Sequence, residues 1–223
     1  MKAVIFDTGV LITLSMNCLL DILRELKKSS KTKFIITKEV EHEAVLRPLK
    51  IRRFKLGAYR IKKLIEDGTL EFPESVGIKR NKITGVANNI LESANNMFYQ
   101  HKKPIHIIDL GESSILALSK LLRDQGIENV IAMDERTTRM LCEKPENLHK
   151  LLERKLHTRL KQKNPRKEEF HKSSFIRSTE IIYVAYKKGI LKGDKDYLDA
   201  LLYGAKFKGA AISGDEIKQI EGL

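Results

Sequence analysis

The chain has 223 residues, and 42% of them are hydrophobic, which is enough for a buried core and excludes wholesale disorder. Forty-two Lys and Arg residues against 29 Asp and Glu residues leave a net charge of +13. This surplus favours a polyanionic partner over a merely lysine-rich surface. Two distant cysteines, Cys18 and Cys142, argue against a disulfide framework and against a cysteine-based zinc site.

Neither a signal peptide nor a membrane-spanning helix is predicted. Asp7 interrupts the N-terminal apolar stretch, and the longest apolar run, residues 9–20, contains Thr13, Ser15 and Asn17. We therefore expect a soluble, cytoplasmic protein without a membrane partner.

Short apolar runs alternate with helical patterns along most of the chain. The predicted strands are residues 2–6, 33–36, 69–72, 105–108 and 130–133. The predicted helices are residues 10–27, 48–66, 84–99, 109–125, 178–188 and 195–208, and a short one after Asp215. Thr37 is the expected N-cap of a further helix behind the second strand. This alternation predicts an α/β fold with a central parallel sheet, helices on its faces and extra helices.

The alternation of strand and helix breaks after residue 142. We predict a core over residues 1–142, a basic helical insertion or arm over 143–175, and C-terminal helices over 176–223 that pack on the core. Whether the middle segment is ordered is left open by the sequence.

Acidic residues stand next to the predicted ends of strands and starts of helices. Asp7 follows the first strand, Glu43 lies about two turns into the helix behind the second, Glu112 is in a first helical turn, and Asp134 follows residues 130–133. The carboxyl ends of the strands of a doubly wound sheet face one crevice, where ligands bind. These four side chains are therefore expected to converge there.

Several carboxylates within a few ångström of one another cannot all stay ionised without a counter-charge. Mg²⁺ and Mn²⁺ supply that charge and prefer oxygen ligands. Each acid taken alone is also explained as a helix N-cap or as a complement to the helix dipole. The combination in a strongly basic chain favours metal-assisted attack on a phosphate ester.

At these acidic positions the chain resembles the PIN domain nucleases, named for the PilT N-terminus. The resemblance runs through Val-Ile-Phe-Asp7-Thr8-Gly9, Ile-Ile-Thr37 to Glu43, Ile-Ile-Asp109-Leu-Gly111-Glu112, and Val-Ile-Ala-Met-Asp134-Glu135. The C-terminal helices also look like the closing helices of some of these proteins. The similar regions are roughly residues 1–46, 104–142 and 176–220. The Asp109-to-Glu112 helix start is the most specific of these motifs.

The resemblance implies a three-layer α/β/α fold, an acidic pocket for Mg²⁺ or Mn²⁺, and cleavage of single-stranded or structured RNA. Asp7, Glu43, Glu112 and Asp134 match the four acidic positions of the family, and we expect them to be catalytic and to bind the metal. Asp109 and Glu135 are neighbouring metal-ligand candidates with less certain roles. Glu39 and Glu41 lie close enough to Glu43 in sequence that either could replace it.

Most of the positive charge is concentrated in two tracts. Residues 47–63 carry eight cations and no acid, and residues 149–172 carry nine against three Glu. Such tracts hold backbone phosphates with little sequence specificity. The predicted nucleic-acid-binding residues are Arg47, Lys50, Arg52, Arg53, Lys55, Arg60, Arg154, Lys155, Arg159, Lys161, Arg166 and Lys167.

Aromatic side chains in and beside these tracts could stack on unpaired bases. They are Phe54, Tyr59, Phe170 and Phe175. The sequence favours the core for most of them, because Phe54 and Tyr59 fit an apolar stripe with Ile51 and Ile61.

Other functions were weighed against a nuclease. A non-catalytic RNA-binding protein on the same scaffold would keep the basic tracts and need none of the acids. A haloacid dehalogenase-like phosphatase is disfavoured, because Gly9 stands where its second acid belongs. The toxin half of a toxin–antitoxin pair is usually a shorter chain. A second copy of the chain and an antitoxin-like protein stay open as partners.

Overall fold

The structure is a computed structural model that describes residues 1–163, 170 and 173–222. The strands are β1 (Lys2–Phe6), β2 (Lys33–Ile35), β3 (Phe98–Gln100), β4 (Lys103–Pro104), β5 (Glu128–Ala132), β6 (Lys161–Gln162) and β7 (Phe175–Ile176). The α-helices are α1 (Thr8–Met16), α2 (Asp21–Lys28), α3 (Lys38–Glu41), α4 (Lys55–Glu66), α5 (Arg80–Asn95), α6 (Leu110–Asp124), α7 (Arg136–Glu143), α8 (Pro145–Leu156), α9 (Ser178–Lys187), α10 (Lys195–Phe207) and α11 (Gly214–Glu221).

The fold is α/β, with a four-stranded parallel sheet in the order β2-β1-β5-β7. In the register of β1, Val4 lies opposite Phe34 on one side and Val130 on the other. Ile5 and Phe6 are fully buried, and Phe6 packs edge-to-face on Phe34 with 5.2 Å between ring centres. Burial of a central strand by helices explains why β1 is a continuous apolar run.

The predicted strands 2–6, 33–36 and 130–133 are confirmed to within two residues at their ends. The predicted helix after Thr37 is confirmed together with its cap, because the Thr37 side chain accepts a hydrogen bond from the Val40 amide. The helices predicted over 109–125, 178–188 and 195–208 and after Asp215 are also present.

The single helix predicted over residues 10–27 is wrong, because the chain turns between α1 and α2. The Leu19 amide bonds to the Leu14 carbonyl at 2.8 Å, and the Cys18 amide bonds to that of Ser15 at 3.2 Å. These two bonds are those of a Schellman motif, which needs a left-handed residue after the cap. Cys18 takes that conformation with φ of 58°, where glycine is the usual residue.

Two other helix predictions were only partly right. Residues 48–54 form two short 3₁₀ turns, Pro48–Lys50 and Arg52–Phe54, before α4 begins. The helix predicted over 84–99 starts earlier and ends at Asn95, and Phe98–Gln100 is β3. The strand predicted over 69–72 is reduced to one parallel bridge between Ile35 and Glu71.

The predicted strand 105–108 is wrong, because only Ile105 bonds to a sheet, through its amide to the Phe98 carbonyl of β3 at 2.9 Å, and residues 106–108 join neither sheet. The side chain of Asn95 takes the place of a neighbouring strand. Its Oδ1 accepts from the amides of Ile107 (2.6 Å) and Ile108 (3.1 Å), and its Nδ2 donates to the Ile108 carbonyl (3.0 Å). Ile107 and Ile108 are buried, so they satisfy the apolar pattern without forming a strand.

Residues 143–163 are attached to the rest of the protein by apolar contacts and by a small second sheet. Leu148 and Leu152 of α8 belong to the same buried cluster as the residues of β1. The second sheet is antiparallel, in the order β4-β3-β6, and His149 stacks on Phe98 at 5.4 Å. Part of the predicted arm, residues 164–169 and 171–172, lies outside the described residues, and the three-part division of the chain stays a prediction. Among the described helices, none has the length and apolar character needed to cross a membrane.

We expect Asn95→Ala to lower the free energy of unfolding by about 2 to 3 kcal/mol, because it leaves the buried amides of Ile107 and Ile108 without a partner. The matched control is Asn96→Ala, since the exposed Asn96 makes only local bonds, donating to the Glu92 carbonyl and accepting from the exposed Tyr99 hydroxyl. Urea unfolding followed by circular dichroism measures both. Equal effects of the two substitutions would contradict the role given to Asn95.

Candidate active site

Two aspartates follow the two central strands of the parallel sheet. Asp7 comes directly after β1 and caps α1, and Asp134 comes two residues after β5. The Asp7 amide donates to the Ala132 carbonyl at 2.9 Å, so the pairing of the strands continues past the end of β1. Asp7 is 7% exposed and Asp134 is 2% exposed. The sheet therefore holds two carboxyl groups side by side and away from water.

Glu43 approaches this pair from a π-helical turn, His42–Leu46, that continues α3. The turn is closed by a bond of 2.9 Å from the Arg47 amide to the His42 carbonyl. Glu43 Oε2 accepts a hydrogen bond of 3.0 Å from the hydroxyl of Thr8, the residue after Asp7. Single π turns are frequent at functional sites, where the additional residue changes the direction of a side chain.

The three neighbouring glutamates, Glu39, Glu41 and Glu43, make different contacts. Glu39 lies 3.7 Å from the guanidinium of Arg80, and Glu41 makes an ion pair of 2.8 Å with Lys38. Glu43 is the one of the three that bonds to Thr8 beside Asp7.

Gly111 provides the space for the Glu43 carboxylate. A Cβ atom at position 111 would lie 2.9 Å from both carboxylate oxygens of Glu43, which is closer than such atoms approach one another. The glycine in the motif Asp109-Leu-Gly111-Glu112 is therefore explained by close packing against an acid from another helix.

Glu112 is held by the helix start on which it stands. Its Oε2 accepts from the Asp109 amide at 2.7 Å, which forms a capping box at the beginning of α6. Glu135 is itself the N-cap of α7, and its Oε2 accepts a bond of 2.6 Å from the Thr138 amide. Asp109 is exposed at the rim, 2.6 Å from Nε2 of His106.

Burial raises the pKa of all four central acids. It raises the pKa of Asp7 to about 7, against the Gly9 and Thr8 amides and with the help of the Glu43 and Asp134 charges. Burial likewise raises the pKa of Glu112 to about 7, where the Asp109 amide opposes it and the charges of Glu135 and Asp7 reinforce it. The mutual repulsion means that these groups lie near one another in the fold.

The pKa values of Glu43 and Asp134 are also raised, again mainly by burial. For Glu43 the hydrogen bond from Thr8 opposes the rise and the charge of Asp109 adds to it. For Asp134 the amide and hydroxyl of Ser178 and the hydroxyl of Thr13 oppose the rise. The structure thus brings together Asp7, Glu43, Glu112 and Asp134, and it places Asp109 and Glu135 at their edge.

One oxygen of Asp134 is buried without a hydrogen-bond partner among the described residues. Oδ1 accepts from the Ser178 amide at 2.8 Å, whereas Oδ2 is unpartnered. The Thr13 and Ser178 hydroxyls favour the charged carboxylate by proximity, but neither has the geometry of a hydrogen bond to Oδ2. A buried carboxylate oxygen of this kind is what a cation or an ordered water would satisfy.

The donor set fits a hard divalent cation, because it consists of carboxylate oxygens with excess negative charge. Within the described residues, no three Asp, Glu, His or Cys side chains form a group that could hold a metal by themselves. This is compatible with Mg²⁺ or Mn²⁺ chemistry, since Mg²⁺ usually keeps several waters and is held by one or two carboxylates.

The sequence did not identify three residues that shape the site. Thr8 orients Glu43, Gly111 makes room for it, and Ser178 binds Asp134 across 44 positions of the chain. The motifs that contain Thr8 and Gly111 were recognised, but the contacts that explain these residues were not. Ser178 carried no signal, because it stands at an ordinary helix start far from Asp134.

Among the predicted nucleic-acid-binding residues of the two basic tracts, Arg47 acts electrostatically on an acid of the site. Arg47, Lys50, Arg52, Arg53, Lys55 and Arg60 are all exposed, and the charge of Arg47 opposes the rise in the pKa of Glu43 that burial causes. Arg154, Lys155, Arg159 and Lys161 are also exposed and lie on α8, on the turn after it and on β6. Arg166 and Lys167 lie outside the described residues.

The metal-free protein should lose stability as the pH rises from about 4 to 7. In that interval folded Asp7 keeps its proton while the unfolded chain has released it, so folding binds protons and becomes less favourable. Asp7→Asn removes this contribution and should be more stable than the wild type at pH 8, by about 1 to 3 kcal/mol. Urea unfolding in EDTA at pH 5 and pH 8 measures the difference. The exposed Asp124→Asn should follow the wild type, and an unchanged pH dependence in Asp7→Asn would contradict the burial argument.

Gly111→Ala should leave the fold intact while displacing the Glu43 carboxylate, because the new methyl group occupies the position of its oxygens. The matched control is Gly85→Ala in α5, where a Cβ atom meets nothing within 4 Å. This control should raise the free energy of unfolding by about 0.5 to 1 kcal/mol. Crystal structures of both variants provide the measurement, and an unmoved Glu43 carboxylate beside Ala at position 111 would be the contrary result.

Comparisons of the chain with protein-family models, with curated proteins and with solved structures found no match. Inferences about its chemistry therefore depend on its own residues and on how the fold arranges them.

Proposed function

We propose that this protein is a metal-dependent ribonuclease that hydrolyses phosphodiester bonds with Mg²⁺ or Mn²⁺. The observation that carries the proposal is the convergence of Asp7, Glu43, Glu112 and Asp134, two of them with a pKa of about 7, at the carboxyl ends of parallel strands. A folded protein keeps such a group of mutually repelling carboxylates at a cost in stability, which favours a catalytic reason for it.

The fold is compatible with the three-layer α/β/α arrangement of the PIN domain nucleases, and we propose that the chain is similar to this family. The four-stranded parallel sheet and the helix starts at Thr8, Leu110 and Arg136 support that assignment. Asp7, Glu112 and Asp134 stand next to these helix starts and Glu43 bonds to Thr8, which supports a site at the carboxyl ends of the strands, the usual place in doubly wound folds.

In the proposed mechanism Asp7 and Asp134 would hold the cation directly or through water, and Asp134 would offer the Oδ2 that has no hydrogen-bond partner among the described residues. Mg²⁺ or Mn²⁺, when bound, would supply a lowered pKa of water and stabilisation of charge on the phosphate. Glu43, anchored by Thr8, orients the attacking water. Glu112 accepts its proton, since a pKa of about 7 suits a general base near neutral pH. Asp109 and Glu135 lie at the edge of the site and add to its negative charge.

The exposed cations beside the site supply affinity for the substrate backbone in this proposal. Arg47 is the first residue of the first basic tract and follows Glu43 by four positions. Its charge opposes the rise in the pKa of Glu43. Lys and Arg contacts to phosphates give salt-dependent binding with little sequence preference. The substrate is therefore a polynucleotide, and RNA is the proposed one.

The rival hypothesis is a non-catalytic RNA-binding protein on the same scaffold. It does not explain why Asp134 Oδ2 is buried without a hydrogen-bond partner among the described residues. It also does not explain why the pKa of Asp134 is raised. Binding without cleavage under every metal condition would favour it.

The test is cleavage of labelled RNA with Mn²⁺, Mg²⁺ or EDTA. We expect cleavage that EDTA abolishes, a loss of at least about 100-fold in Asp134→Asn and Glu43→Gln, and little change in the matched control Glu39→Gln. Metal binding has an independent readout, since Mn²⁺ should raise the melting temperature of the wild type and not that of Asp134→Asn. Cleavage by Asp134→Asn at the wild-type rate would refute the proposal.

A further inference from the structure

Arg177 is a buried cation that directly precedes the residue whose amide bonds to Asp134. It is 8% exposed, and no other Lys or Arg in the described part of the chain is buried. Burial of a guanidinium is costly unless its donors are paired with acids in good geometry. The contacts of Arg177 therefore have to account for its position in the core.

The Arg177 guanidinium joins the starts of two C-terminal helices. Its Nε and Nη2 donate to the Glu180 carboxylate of α9 at 2.6 to 3.2 Å, and its Nη1 donates to Glu216 of α11 at 2.7 Å. Both acids also accept from backbone amides at these helix starts, Glu180 from Arg177 itself at 2.7 Å and Glu216 from Ser213 at 2.8 Å. The planar fork of an arginine is suited to holding two carboxylates in a fixed arrangement.

The same two helix starts bond to Asp134, one to its side chain and the other to its main chain. The Ser178 amide, at the first position of α9, donates to Asp134 Oδ1 at 2.8 Å. The Ala211 amide, just before α11, donates to the Asp134 carbonyl at 3.2 Å. A first-turn amide has no partner within its own helix, so the Ser178 amide is available to a carboxylate. The contacts form a closed ring that runs from Asp134 through α9, Arg177 and α11 back to Asp134.

The ring begins where the pairing of the strands stops. The Met133 amide donates to the Ile176 carbonyl at 2.8 Å, which is the last bond between the β5 and β7 segments, and Arg177 is the next residue. The guanidinium contacts therefore act at the point where the chain leaves the sheet and α9 starts.

We propose that Arg177 is a positioning residue, which holds the Asp134 carboxylate in place by clamping the start of α9 to the start of α11. The inference rests on the proposed function for its consequence, metal affinity. With Oδ1 fixed by the Ser178 amide, Asp134 presents Oδ2, which has no partner among the described residues, to a cation. Residues that orient a metal ligand contribute to affinity without touching the metal. The alternative is an arginine that stabilises the whole fold and has no particular effect on Asp134.

The first test is amide hydrogen exchange, measured residue by residue by NMR in EDTA. Arg177→Gln should speed exchange at Ser178 and Ala211 on the order of tenfold more than at Ile5, which is fully buried in β1. A general loss of stability would instead speed exchange at all of these protected amides together.

The matched control is Arg24→Gln, because Arg24 is also an arginine that bonds to two acids. Its guanidinium donates to Asp67 at 2.6 Å and to Asp21, and neither acid belongs to the candidate site. This substitution should leave exchange at Ser178 as slow as in the wild type.

The second test is Mn²⁺ affinity, measured by electron paramagnetic resonance of the free ion. Arg177→Gln should weaken binding on the order of 10- to 100-fold, and Arg24→Gln should not change it. Arg177→Lys keeps the charge but not the planar fork, so it should recover only part of the lost affinity.

Equal acceleration of exchange at all protected amides would overturn the role given to Arg177. A Mn²⁺ affinity of Arg177→Gln equal to that of a metal-binding wild type would overturn it as well. A wild type that binds no Mn²⁺ would refute the proposed nuclease instead, and exchange at Ser178 would then decide whether Arg177 positions Asp134.

Discussion

The rest of the site depends on the burial of two carboxyl groups at the ends of two adjacent parallel strands. Strands β1 and β5 pair side by side, and the bond from the Asp7 amide to the Ala132 carbonyl extends this pairing to the residue that carries the first carboxyl group. The chain stabilises the group with amides instead of cations: those of Gly9 and Thr8 for Asp7, and that of Ser178 for Asp134. Asp7 and Asp134 stay near each other because the pairing of β1 with β5 fixes the backbone that leads to both.

Positive and negative charge are concentrated in different parts of the molecule. In this chain with a net charge of +13, the predicted nucleic-acid-binding cations among the described residues are exposed, while the central acids lie where the strands end. Arg47 is at the boundary between the two, and no ion pair joins it to Glu43 in the described part of the chain. The repulsion among the central acids is of the kind that a bound divalent cation removes.

Sequence patterns predicted the strands of the sheet centre because each is a short apolar run that ends at an acid or a helix cap. They failed for residues 105–108, an apolar run that is not a strand. Ile107 and Ile108 are as apolar as a strand, but a side chain from α5, Asn95, provides their hydrogen bonds. At Cys18 a helix ends in a left-handed conformation without the usual glycine, so no local signal marked the turn.

By itself, the sequence determined the α/β class, the four acids and the two basic tracts, because strand–acid junctions, helix caps and charge runs are local properties of the chain. Only the tertiary structure decided which glutamate faces Asp7, why position 111 is glycine, and that Ser178 closes on Asp134. It also decided that Phe54 and Tyr59 face solvent. Each of these depends on contacts between elements distant in sequence, and periodicity cannot report on which side of a helix another element packs.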